Sequence, residues 1–119
     1  MIPLNNIVEV FDLLPIPYLI LKQNADSYSV LSTNHAYKKL LKDAAPVSDL
    51  LNDHLPFDEP FFRKKFYKHL ASSIDSKQNQ AFEHQTIHSN YEIKITPLAH
   101  PGTGTLLIVS FHIHEVTQA

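Results

Sequence analysis

Apolar positions along the chain change period several times, and each change marks an element. Leu4, Ile7, Val8, Phe11 and Leu14 recur at spacings of three and four, which predicts an amphipathic helix that Pro15 and Pro17 terminate. After the prolines, YLILK and SYSVLS predict two strands. Asn24 and Asp26 between them tolerate turn backbone, so the two strands read as a hairpin. TNHAYKKLLK then switches to helical period. Thr33 or Asn34 can cap this helix, and Ala36, Tyr37, Leu40 and Leu41 share a face opposite Lys38, Lys39 and Lys42.

Pro46 and Pro56 break up the next stretch, where VSDLLNDHL suffices for one or two helical turns. FDEPFFRKKFYKHLASSI predicts the longest helix, with Asp58 as N-cap and Pro60 in the first turn. Phe62, Phe66, His69, Leu70 and Ile74 lie along one side of it, opposite a basic side. The last third has strand period. AFEHQTI leads through a turn at His88-Ser89-Asn90 to YEIKITPL, in which Tyr91, Ile93 and Ile95 alternate with Glu92, Lys94 and Thr96. AHPGTG forms the next turn, and TLLIVSFHIH is apolar on both faces over most of its length, as a central strand covered on either side requires. The order is α+β, which predicts one antiparallel sheet with helices on one face. Repeats and low-complexity tracts are absent from the sequence.

Composition narrows the chemistry. At 119 residues the chain fits one domain able to bury roughly two thirds of its unfolded surface. It has no cysteine, which removes disulfides, thiolate metal sites and a cysteine nucleophile and suits a reducing, cytoplasmic setting. Ten Lys plus Arg against twelve Asp plus Glu leave no basic excess, which argues against nucleic acid as a direct partner. Prolines and charges interrupt the N-terminal apolar residues before they reach membrane-spanning length, so neither a signal peptide nor a membrane insertion is expected.

Several of these stretches, in this order, resemble the PAS sensory domain. LLPIPYLILKQNADSYSVLSTNHAYKKLL is similar to that family's opening, in which two strands lead to an Asn that starts the first helix, here Asn34. YEIKITPL resembles its fourth strand. LLIVSFHIHEVTQ resembles its fifth strand running into a terminal Asp-Ile-Thr, with Glu115, Val116 and Thr117 in the matching places. A Gly usual after the first strand is missing, and Glu replaces the terminal Asp. The resemblance covers about residues 8 to 118. It implies a five-stranded antiparallel sheet of order 2-1-5-4-3, helices over one face, and a cavity between them. Residues 1–14 would be the N-terminal helix, 17–114 the core and 115–119 the start of an output linker. It also implies a signal relayed through Glu115, Val116 and Thr117 to an output domain, with a sensor histidine kinase as the expected parent. A homodimer through Leu4, Ile7, Val8 and Phe11 is expected, with the helix folded back on its own sheet as the alternative.

Candidate chemistry is sparse. Tyr18, Tyr37, Phe62, Phe66 and Phe82, with His69, are the candidate lining of a ligand pocket; the aromatic residues serve equally to fill a core. In some PAS relatives a helix histidine placed like His69 ligates haem; a semi-buried ring bonded to a nearby carbonyl is the other reading. The covalent photochemistry of the light-sensing PAS branch needs a cysteine, so this chain cannot perform it, although non-covalent flavin binding stays open. His112 and His114 share a strand face, and His84 on a neighbouring strand is the candidate third ligand of a metal site, which would make the chain a small metal-dependent enzyme instead. No phosphate-binding Gly loop, nucleophile elbow or H-E-x-x-H occurs, so a non-enzymatic sensory or interaction module is the expectation.

Overall fold

The computed structural model describes residues 9–10, 13–24, 27–41, 51, 55–56, 59–86, 89–100 and 104–115. Its elements, in chain order, are β1 (Tyr18–Gln23), β2 (Tyr28–Thr33), α1 (His35–Leu40), α2 (Pro60–Ser76), β3 (Gln80–Gln85), β4 (Ser89–His100) and β5 (Gly104–Glu115). All neighbouring strands run antiparallel in the order β2-β1-β5-β4-β3, the order that the resemblance implies. β5 is central because its alternate residues are apolar on both sides. Leu107, Val109 and Phe111 face the helices, and Leu106 on the opposite face is buried as well.

Asn34 starts α1 as predicted: its Oδ1 accepts from the Tyr37 N–H at 3.0 Å. The start of α2 is one residue later than expected. Glu59 rather than Asp58 is the N-cap and makes no side-chain capping bond, and Pro60 opens the helix, where its missing N–H costs nothing. The helix ends at Lys77, which takes a left-handed conformation with φ 57°, and Ser73 Oγ donates to the Gln78 carbonyl at 2.9 Å. Phe62, Phe66 and Leu70 of its apolar stripe are fully buried against Leu19, Leu21, Ile93, Ile95, Val109 and Phe111. His69 and Ile74 at the edges of the stripe are half-buried.

The β4–β5 hairpin is longer than the apolar pattern suggests. Both strands have 12 residues, and pairing continues past Leu98 through Ala99↔Thr105 and His100↔Gly104. Gly104, the first residue of β5, has φ +88°, a conformation open to glycine at no steric cost. The expected N-terminal helix and the VSDLLNDHL turns fall mainly outside the described residues. Among the described residues, no helix is long and apolar enough to cross a membrane.

Candidate functional site

The space between α2 and the sheet is an aromatic cluster built by helix and strand periods together. On α2, Phe62 and Phe66 are four residues apart and stack at 5.6 Å between ring centroids. Phe82 of β3 closes on both at 6.1 Å. Phe111 of β5 meets Phe66 edge-on at 6.4 Å and Tyr37 of α1 at 5.4 Å. Tyr37, Phe62, Phe66 and Phe82 are therefore brought together, and they touch one another directly or through Phe111. Tyr18 is not part of this group. It lies opposite Ser110 and next to Leu19, whose side chain enters the core, so strand alternation puts Tyr18 on the other face.

Phe111 was not among the sequence candidates, yet its ring links rings from both helices. The alternation Val109, Phe111, Ile113 along β5 carried that signal. The Phe111 N–H also donates to the Pro17 carbonyl at 3.0 Å, tying β5 to the segment that enters β1. Asn34 ties the same segment to α1. Its Nδ2 donates to the Ile16 carbonyl at 2.7 Å and the Leu14 carbonyl at 3.3 Å, while its Oδ1 accepts from the Tyr18 N–H at 2.9 Å. Two residues beyond Phe111, Ile113 is 47% exposed, so β5 leaves the core there. Glu115 pairs with Ser89 at the strand's end. Leu4, Ile7, Val8, Phe11, Val116 and Thr117 lie outside the described residues.

His84 and His112 do not converge. His84 faces the helices, with its ring 4.8 Å from Phe62 and its Nε2 3.6 Å from Glu59 Oε1. His112 is on the opposite face of the sheet, with its Nε2 2.9 Å from Ser110 Oγ. A ligand set of His84, His112 and His114 is thus corrected by strand register: β4 separates β3 from β5, and the side chains of His84 and His112 point to opposite faces. At the strand's end, His114 is paired with Asn90. Among the described residues, no group of three or more His, Asp or Glu side chains could hold a metal ion.

His69 Nδ1 lies 2.8 Å from the Lys65 carbonyl oxygen one turn earlier, and its ring stacks on Phe82 at 4.7 Å with an interplanar angle of 25°. One ring nitrogen and one ring face are thereby engaged, so His69 is a semi-buried ring bonded to a nearby carbonyl. The described interior is hydrocarbon and aromatic apart from His84, and the other buried polar residues are used elsewhere: Asn34 at the cap, Ser73 at the end of α2, and Ser110 on the far face. Burial alone pushes the Tyr37 phenol far above its ordinary range. Tyr28 is raised by burial and then by the Asp75 carboxylate, and Tyr67 is raised mainly by burial, with Arg63 opposing.

No protein-family model and no curated protein matches the sequence. Solved structures do match the fold. A variant of RsLOV superimposes with a TM-score of 0.66 at 9% identity, covering 97% of this chain and 68% of that one. An RNA-binding light-oxygen-voltage receptor superimposes with a TM-score of 0.61 at 17% identity, covering 95% of this chain and 34% of its own length, so this chain spans about a third of that receptor. With strand order 2-1-5-4-3, helices on one face and light-oxygen-voltage domains as structural neighbours, the chain has the PAS fold.

Proposed function

We propose that the chain is a PAS-type sensory module, without catalytic activity of its own, that relays a change in its interior to an output domain through β5. The observation that carries this reading is the position of Phe111. Its ring touches Tyr37 of α1 and Phe66 of α2, and its N–H holds Pro17 at the entry to β1. A displacement of either helix therefore acts on β5 four residues before its end at Glu115. Close-packed interiors transmit such shifts because they have few voids to absorb them. Glu115, Val116 and Thr117 form the exit in this reading. Leu4, Ile7, Val8 and Phe11 form a homodimer face, the setting is cytoplasmic, and the output is a sensor histidine kinase. The resemblance at the chain's end supports the exit, and the near-neutral charge balance favours a protein partner over nucleic acid.

The test is a fusion of residues 1–119 ahead of a histidine kinase catalytic core. Phe111→Leu keeps an apolar side chain but removes the ring that bridges the helices. It is expected to change the autophosphorylation rate severalfold, while Lys64→Ala on the exposed side of α2 leaves it unchanged. Equal rates for the two variants would reject the relay.

A further inference from the structure

Outside the aromatic interior, an open cleft of about 470 Å³ lies between the segment entering β1, α1 and the outer end of β5. This volume falls in the range of small-molecule sites, about 300–1,000 Å³. Helical period builds one wall: His35, Ala36, Lys39 and Leu40 are spaced so that they share a stripe on α1, turned aside from the core-facing Tyr37. Leu13 and Pro17 form the second wall and Ile113 the third. These apolar groups are not withdrawn from water, since Leu13 is 86% exposed and Ile113 47%.

The polar groups of the lining are of one kind. His35 and Lys39 are nitrogen bases one turn apart, and no acidic residue lines the cleft among the described residues. We propose that the cleft binds a small amphipathic anion, an aliphatic or aromatic carboxylate whose hydrocarbon body lies on Leu13, Leu40 and Ile113 and whose carboxylate meets the Lys39 ammonium. Charge complementarity selects the anion, because the Lys39 ammonium gives a carboxylate a charge-assisted hydrogen bond, screened in part by solvent at this exposed position. A peptide is the poorer occupant. Its backbone N–H and C=O groups need partners, whereas the walls are mostly hydrocarbon and include Pro15 and Pro17, which have no N–H to give. The site is separate from the aromatic cluster, and binding there does not depend on a relay through β5.

The probe is decanoate, titrated into the isotope-labelled chain while amide resonances are followed, with decylamine as the charge-reversed control. Decanoate is expected to shift the amides of Leu13, Ala36, Lys39 and Ile113 saturably, and decylamine to leave them unmoved. Lys39→Gln, at an exposed position, should weaken decanoate about two- to fivefold, the worth of one solvent-screened ion pair. Ala36→Trp should fill the cleft and abolish the shifts, and circular dichroism checks that both variants keep the fold. Equal binding of decanoate and decylamine, undiminished binding to Lys39→Gln, or shifts confined to residues away from the cleft would overturn the proposal.

Discussion

Asn34 and Tyr18 hold each other through two hydrogen bonds: the Tyr18 N–H donates to Asn34 Oδ1 at 2.9 Å, and the Asn34 N–H donates to the Tyr18 carbonyl at 3.1 Å. The same side chain caps α1 and ties down the Leu14 and Ile16 carbonyls. One buried amide thus fixes where the first strand begins, where the first helix begins, and how the chain enters the sheet. Asn34→Ala removes the cap and leaves buried backbone groups without partners, a loss of about 2–4 kcal/mol. Asn34→Asp keeps the acceptor but turns a carboxylate oxygen toward two carbonyls, so it too is expected to destabilise. Thermal denaturation checks both, and a melting temperature unchanged in Asn34→Ala would contradict the role given to this residue.

Tyr37 predicts an alkaline limit to stability. Buried, its phenol keeps its proton, whereas in the unfolded chain it titrates near the ordinary 10.0. Above that pH the folded state holds more protons than the unfolded one, so stability is fully present below it and falls as pH rises, by about 1.4 kcal/mol per pH unit for one group. Tyr28 and Tyr67 act in the same direction. Tyr37→Phe is expected to flatten the decline in melting temperature above that pH relative to the parent chain. Parallel declines in the two proteins would show that this phenol does not titrate as described.

The dimer proposal has its own test. Ile7→Asp with Phe11→Asp places two carboxylates on the apolar stripe, and sedimentation is expected to change from dimer to monomer while far-ultraviolet circular dichroism keeps the sheet signal. A parent chain that sediments as a monomer would remove this interface.

Periodicity made the order of elements legible, because helix and strand repeats place apolar residues differently and Pro and Asn mark the boundaries. The hairpin of YLILK and SYSVLS, the Asn34 cap and the central position of TLLIVSFHIH all follow from that. The facing of separate strands was not legible. His84 and His112 each sit on a well-predicted strand, but which face each one shares depends on register across three strands, and a shift of one residue exchanges the faces. Tyr18 was misplaced among the core aromatics for the same reason: it lies one residue before Leu19, the first core-facing position of β1. The extra length of β4 and β5 was not legible because Ala99 and His100 carry no apolar alternation that would mark them as strand. The role of Phe111 depends on which helices lie above it, and that is a property of the assembled layers.

In the proposed relay, a disturbance at the helices reaches the end of β5. Residue-resolved amide hydrogen exchange on Tyr37→Leu tests it most directly, since Tyr37 meets the Phe111 ring from α1. After the uniform change due to lost global stability is subtracted, the account predicts faster exchange at Phe111 through Glu115 and no residual change along β3, Gln80–Gln85. Residual changes spread evenly over all five strands, or none at Phe111 through Glu115, would contradict it.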